Sequence, residues 1–353
     1  MMLNKGILLV SLDFELHWGV RDLYTLDSVK QNLERARSFV KSTLQQFENH
    51  GVHATWTTVG FLFSRDRDEL LDSIPAIQPG YHCPGLSPYP DIQKIGRDET
   101  EDPYHFAPSL VEEILRTPGQ EVGTHTFSHY YCLESGQTKE MFRSDLAAAV
   151  YIANKRNVAL RSFVFPRNQV NPEYLDLLPE FGIQSYRGCE KSWLYRPRPR
   201  GVESAFRRAV RLLDAYVNLS GHHTFSLKDT GVGPPFNFPS SRLLRKYLPG
   251  VGFLEPLRIA RICSGLDHAA RHRRIYHLWF HPEELAENPE KSAKVLKKIL
   301  ERFTALRDRG EMESLTMGEL AARLTTHGCH GTAATCKASG SATSRNFILN
   351  YGD

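Results

Sequence analysis

Asp13, Glu15 and His17 stand two residues apart in Leu8-Leu9-Val10-Ser11-Leu12-Asp13-Phe14-Glu15-Leu16-His17-Trp18-Gly19, an apolar run that ends in acid. Read as a β-strand, it projects these three groups from one face and Leu12, Phe14 and Leu16 from the other. Two carboxylates and an imidazole so placed repel one another or change protonation unless a positive charge sits between them. A metal ion is the economical answer.

A second set of ligand-type residues is His125-Thr-Phe-Ser-His129, with two imidazoles four residues apart, on one face if the segment is a helical turn. With 15 His in 353 residues, chance alone predicts roughly 0.6 such pairs. The sequence holds three: His125/His129, His268/His272 and His277/His281. His268 and His272 lie in the basic helix H-A-A-R-H-R-R, where a solvated face is the ordinary reading. His277 and His281 share a strand face but stand about 13 Å apart at about 3.3 Å per residue, too far to share one ion. Only His125 and His129, just after Gly123-Thr124, begin where a strand gives way to a turn.

The elements that must position these groups alternate in type. Leu33, Ala36, Val40 and Leu44 predict a helix over Leu26 to His50, ended by Gly51. Val52 to Val59 is β-branched and reads as the second strand. Further strands are predicted at Glu121–Thr124, Arg161–Phe165, Ile183–Tyr186, Ile275–Phe280 and Ser314–Thr316. Helices are predicted at Leu110–Thr117, Lys139–Asn157, Leu254–His272, Ser292–Arg309 and Gly318–Leu324. Strand-then-helix repetition argues a parallel α/β architecture, and the length suits a closed barrel of seven or eight units. Asp13/Glu15, His125/His129, Pro166-Arg167-Asn168 and His281 all fall at the C-terminal ends of predicted strands. That edge is where sites are assembled in barrels and open parallel sheets alike. Four such groups at one rim are better explained as a site than as four coincidences.

Composition sets the outer bounds. The chain is 41% hydrophobic and 24% charged, as in a globular protein with an ample core, and a net charge of +4 is too mild to argue a nucleic-acid partner. No run is long and apolar enough to span a bilayer, and the N-terminus lacks the form of a secretion signal. The six cysteines form no CxxC pair, which fits reduced thiols in the cytoplasm. Residues 1–325 read as one domain with insertions at about 79–108 and 187–253, followed by a flexible Ser/Thr/Ala/Gly-rich tail over 326–353. Arg187, Arg196, Arg198, Arg200, Arg207, Arg208 and Arg211 crowd the second insertion beside an amphipathic stretch from Val202 to Val217. Such a region suits a phosphate-bearing substrate or, as the lesser alternative, peripheral contact with an anionic membrane surface at the inner face.

Ser11-Leu12-Asp13-Phe14-Glu15, Ala54-Thr55-Trp56 to Gly60, Glu121-Val122-Gly123-Thr124-His125-Thr126-Phe127-Ser128-His129, the strand into Pro166-Arg167, Leu278-Trp279-Phe280-His281 and Ser314-Leu315-Thr316-Met317-Gly318-Glu319-Leu320 together resemble the polysaccharide deacetylases of the NodB-homology type. The resemblance spans about residues 5–325, in the family's order, and the S-L-D-F-E opening is similar to members associated with lipopolysaccharide and capsule synthesis. It implies a distorted (β/α) barrel of about seven strands and removal of an acyl group, acetyl first, from an amino sugar. Its substrate would be a glycan or that glycan's nucleotide- or lipid-linked precursor. The family implies a divalent metal, zinc first, held by His125, His129 and Glu15, the last in the place of an aspartate. Asp13 would be the general base, His281 the general acid and Arg167 the partner orienting Asp13. His17 stays open as an extra ligand. Phe165-Pro166-Arg167-Asn168 replaces the family's arginine-first R-x-P-x-G element, and no segment matches the element whose aspartate tunes the catalytic histidine. Hydrolysis of another C–N bond, in a cyclic amide or ureide, and non-catalytic carbohydrate binding are the rival readings.

Overall fold

A computed structural model of the chain describes residues 3–195 and 204–328. The central strand is β1 (Gly6–Phe14), and all nine of its residues are buried, as befits a parallel strand covered on both faces. It is followed by α1 (Leu26–His50), β2 (Ala54–Thr58), α2 (Arg67–Asp72), α3 (Pro108–Arg116), β3 (Gln120–Thr124), α4 (Lys139–Asn154), β4 (Ser162–Val164) and β5 (Ser185–Arg187). The remainder comprises α5 (Ala205–Asp214), β6 (Phe236–Asn237), β7 (Arg242–Leu243), α6 (Glu255–His272), β8 (Ile275–Phe280), α7 (Pro282–Leu285), α8 (Pro289–Asp308), β9 (Met312–Leu315) and α9 (Met317–Gly328).

The strands pair in the order β6-β5-β4-β3-β2-β1-β8-β7, all in parallel, and β9 pairs with the first half of β1 from Gly6 to Leu9. Both ends of this curled sheet lie on one stretch of chain. The amides of Phe236, Phe238 and Ser240 donate to Gln184, Tyr186 and Gly188 beside β5, and those of Ser241 and Leu244 donate to His277 and Trp279 of β8. The expected distorted barrel is therefore present. It has nine strands among the described residues rather than about seven, because β6 and β7 contribute two residues each. Pieces that short carry no periodicity, so Gly231–Ser241 reads as a loop in the sequence.

The alternation in β1 sets the site. Leu8, Val10, Leu12 and Phe14 join the main core under the helices, whereas Ile7 and Leu9 pack with Phe225, Phe238 and Met317 in a separate apolar cluster. Continuing that second face, Ser11 and Asp13 are the next two residues, so its apolar lower half gives way to polar groups at the C-terminal rim. α1 ends at Gly51, whose φ of 62° is the left-handed cap that the glycine was expected to supply. Val202, Arg196, Arg198 and Arg200 lie outside the described residues, as does the expected tail from 329 onward. Among the described residues no helix is long and apolar enough to cross a membrane.

Candidate active site

β1 ends at Phe14, and the chain leaves the strand conformation there. Glu15 turns (φ −127°, ψ −30°) and Leu16 takes a positive φ of 47°. The amides of Glu15 and Leu16, left without a ladder partner, both donate to Glu283 Oε1, at 2.9 and 2.7 Å. Glu283 follows His281 by two residues, so one carboxylate clamps the ends of β1 and β8 together. Burial, and then the neighbouring Glu15, push its carboxyl up to about 7.

This turn keeps Glu15 near Asp13 but takes His17 elsewhere. His17 Nδ1 lies 2.8 Å from His105 Nε2, and His105 Nδ1 lies 2.8 Å from Asp102, a buried chain that ties the 79–108 insertion to the rim. Burial and His105 lower the His17 imidazole to about 4. His17 is not among the residues that converge as potential ligands, because the same-face argument expired with the strand at Phe14.

His125 and His129 emerge from the end of β3 on a loop, not a helical turn. Thr126 (φ 65°) and His129 (φ 57°) are left-handed there, a costly conformation for a β-branched residue. Asp145, buried on α4, holds the loop. It accepts the amides of Phe127 (2.8 Å) and Ser128 (3.2 Å) and the Ser128 hydroxyl. Thr126 Oγ1 accepts the amide of Tyr130 at 2.7 Å. The result points both imidazoles at Glu15, whose Oε1 is 2.9 Å from His125 Nε2 and 3.2 Å from His129 Nε2. Burial opposes ionisation of Glu15, but His129 and His281 outweigh it and hold the carboxyl well below its ordinary range.

These three residues fit a divalent cation. Their ligand atoms lie within 4.8 Å of one another, and all three are buried. Glu15 is the one polar group His125 Nε2 faces, and buried Nδ1 has no hydrogen-bond partner, so a cation shared between Nε2 and the carboxylate would suit this dry imidazole. Glu15 is longer than an aspartate, and Gly19 makes the room: a Cβ there would meet the Glu15 carboxylate at 1.7 Å.

Asp13 is the last interior residue of β1, and its partner is not the expected one. Arg187, the last residue of β5, grips it bidentately, Nη1 to Oδ1 and Nη2 to Oδ2 both at 2.7 Å. The same guanidinium donates to Ser11 Oγ (3.0 Å) and Asn168 Oδ1 (2.9 Å) and lies over the Trp279 ring. His277, which looked idle in the sequence, bonds Ser11 Oγ at 2.9 Å and the Phe238 carbonyl at 3.0 Å. Despite burial, Arg187 foremost, then His125 and His281, lower the Asp13 carboxyl. Arg167 pairs instead with Asp22 at 2.7 Å and sits over the Tyr131 ring. A φ of 55° in the Pro166–Asn168 turn accompanies this placement. The signal that could have found Arg187 was its place at the end of a predicted strand, the criterion applied to Asp13 and His281.

His281 caps the start of α7 with Nε2 3.6 Å from Asp13 and 3.8 Å from Glu15. Burial lowers its basicity, but the carboxylates of Glu15, Glu284, Asp13 and Glu283 reverse that and raise it to about 9. The site thus pairs a carboxylate held ionised with an imidazole held protonated, a combination suited to taking a proton at one atom and giving one at another.

No family model matches the chain, and no curated protein matches it either. Solved structures do. A protein assigned as a polysaccharide deacetylase from Mycobacterium smegmatis is 13% identical, with a TM-score of 0.56 over 98% of this chain and 96% of that one. One assigned likewise from Pseudomonas aeruginosa PAO1 is 10% identical, with a TM-score of 0.53 over 94% and 93%. Puue allantoinase is also 10% identical, with a TM-score of 0.53 over 94% and 93%. At these identities the likeness is one of fold. The chain has the distorted parallel barrel seen in polysaccharide deacetylases and allantoinase, with a buried Glu-His-His set at its rim.

Proposed function

We propose that the chain is a metal-dependent amidohydrolase that removes an N-acyl group, acetyl first, from an amino sugar in the synthesis of a surface polysaccharide. The observation that carries this reading is the convergence of Asp13, Glu15, His125, His129 and His281 from three strand ends on one point of the rim. A divalent cation held by Glu15, His125 and His129 would supply a Lewis acid able to polarise an acyl carbonyl and acidify water. Asp13, kept ionised by Arg187, takes the proton of the attacking water. His281, kept charged by its carboxylates, gives a proton to the departing amine. Arg187, Ser11 and His277 fix the carboxylate's orientation. Glu283 and Asp145 hold the two backbone turns that present Glu15 and the histidine pair.

The fold is also that of an allantoinase, so the same parts acting on a cyclic ureide form the second reading. Metal analysis of the purified protein, with a substrate panel of N-acetyl sugars and cyclic amides, separates the two. Asp13→Asn should retain metal and lose about 100-fold or more of the turnover on the N-acetyl sugars. Turnover confined to ureides would transfer the function to the second reading. A protein that purifies without metal and takes none up would overturn both.

A further inference from the structure

The two imidazoles of the candidate metal site are held differently. His125 Nδ1 has no hydrogen-bond partner among the described residues. His129 Nδ1 lies 3.2 Å from the Tyr131 hydroxyl, and the two rings meet edge to face. That hydroxyl is in turn 3.4 Å from Asp22 Oδ1, the longer link of the two. Arg167 closes the far end. Its Nη2 donates to both Asp22 oxygens at 2.7 Å, and its guanidinium lies 4.5 Å from the centre of the Tyr131 ring. The chain is dry: Tyr131 is 1% exposed and the Asp22 side chain 2%. The Tyr131 amide donates to the Tyr81 hydroxyl at 2.8 Å, which fixes the backbone beneath the ring. Three rim segments contribute. Asp22 comes from the turn after β1 that also carries Glu15, Tyr131 from the loop after β3, and Arg167 from the turn after β4.

Chemistry sets the direction of this chain. A guanidinium only donates and a carboxylate only accepts. Asp22 therefore takes the Tyr131 hydroxyl proton, which leaves the Tyr131 oxygen to accept from His129 Nδ1–H. A neutral imidazole carries one such proton, so Nε2 is the bare nitrogen. It faces Glu15 Oε1 at 3.2 Å. Two acceptors at that distance are satisfied by a cation shared between them. A hydrogen bond from the far nitrogen to a partner backed by an anion also fixes the ring plane and raises the basicity of the ligating nitrogen.

We propose that Tyr131, backed by Asp22 and Arg167, is a positioning residue that sets the tautomer and orientation of His129 for metal binding. The proposal rests on the reading of Glu15, His125 and His129 as the metal ligands. It gives Arg167 a task on the metal side of the rim, through Asp22 and Tyr131, in place of the expected one beside Asp13.

The test is titration of the metal-free full chain with zinc against a chelator, together with the visible spectrum of its cobalt(II) form. Tyr131→Phe keeps the ring under Arg167 and removes only the hydroxyl. It should bind zinc at least about tenfold more weakly and shift the cobalt(II) absorption, with thermal unfolding of the metal-free protein unchanged. Asp22→Asn, which offers a donor where the chain needs an acceptor, should lose a similar factor. The double variant should lose no more than the larger single loss, because both act through one chain. Tyr81→Phe removes a neighbouring buried hydroxyl outside the chain and should bind zinc as the wild type does. Wild-type zinc affinity with an unshifted spectrum in Tyr131→Phe overturns the proposal and leaves the ligand assignment standing. Additive losses in the double variant, or an equal loss in Tyr81→Phe, do the same. A wild type that binds no zinc overturns the ligand assignment and this proposal together.

Discussion

The two sides of the rim are held by different forces. On the β1–β3 side the strands are nine and five residues long, and their outward faces pack into the main apolar core through Leu12, Phe14, Trp56 and Val122. On the β5–β7 side the strands are three, two and two residues long. There the chain is pinned by buried ion pairs: Arg187 with Asp13 and Arg242 with Asp214. Packing is tolerant of sequence and readable from it, whereas a buried ion pair depends on two residues far apart in the chain. Breaking one leaves a charge in a dry place, which costs more than the pair itself contributes.

That contrast can be tested by removing its largest element first. Arg187→Met should destabilise the protein by about 4–5 kcal/mol and lower turnover at least about 100-fold, because it strands the Asp13 carboxylate and releases its orientation. Wild-type stability and activity in that variant would erase the distinction between the two sides.

Asp214→Asn, remote from the reacting groups, should cost about 3–4 kcal/mol in denaturant unfolding by stranding Arg242. It should also change the acid limb. Burial opposes ionisation of Asp214, but Arg242 and its hydroxyl partners outweigh it and hold the carboxyl far below its ordinary value of 3.8. The unfolded chain then binds this proton first, so the group's stabilisation is complete above about pH 4 and is lost as the pH falls further. The difference between wild type and Asp214→Asn should accordingly shrink below about pH 4.

Asp145 on the packed side should show the opposite slope. Burial raises its carboxyl to about 6 against the bonds from Ser128 and Phe127. The folded state keeps a proton that the unfolded chain has lost, so the contribution is present below about pH 4 and is lost as the pH rises through 6, by about 3 kcal/mol at most. Unfolding of wild type and Asp145→Asn across that window measures it, and parallel curves would refute it.

Smaller effects are expected at two rim positions. Gly19→Ala should displace the Glu15 carboxylate and weaken metal affinity about tenfold with little change in stability, read by metal titration. Arg167→Gln, which does not touch Asp13, should cost about 1–2 kcal/mol and leave the Asp13 environment intact. A loss as large as that of Arg187→Met would return Arg167 to the role of orienting Asp13.

Local regularity made much of the fold legible. α1 runs over the predicted Leu26–His50, and β8 over the predicted Ile275–Phe280. An apolar period with a glycine stop, or a buried aliphatic and aromatic run, needs no distant partner to be recognised. Asp13, Glu15, His125, His129 and His281 were legible for a related reason, since each closes a strand and strand ends collect at one rim. The predicted groups do meet there. Glu283 and Asp145 could not be read, because each acts by accepting backbone amides whose need for a partner appears only once the chain has turned.

The sequence by itself determined a parallel α/β architecture and the set of acids and imidazoles at the C-terminal ends of its strands, because the alternation of strand and helix follows from side-chain type, while the barrel was implied by the family resemblance. Only the tertiary structure decided which members of that set act together. Leu16 left the strand conformation and took His17 to His105. Arg187 reached across 174 positions to Asp13 while Arg167 turned to Asp22. α5 settled with Arg207 and Asp214 inward because both found partners there. Each of these outcomes rests on a buried polar group meeting its counterpart in space, a relation that no periodicity along the chain records.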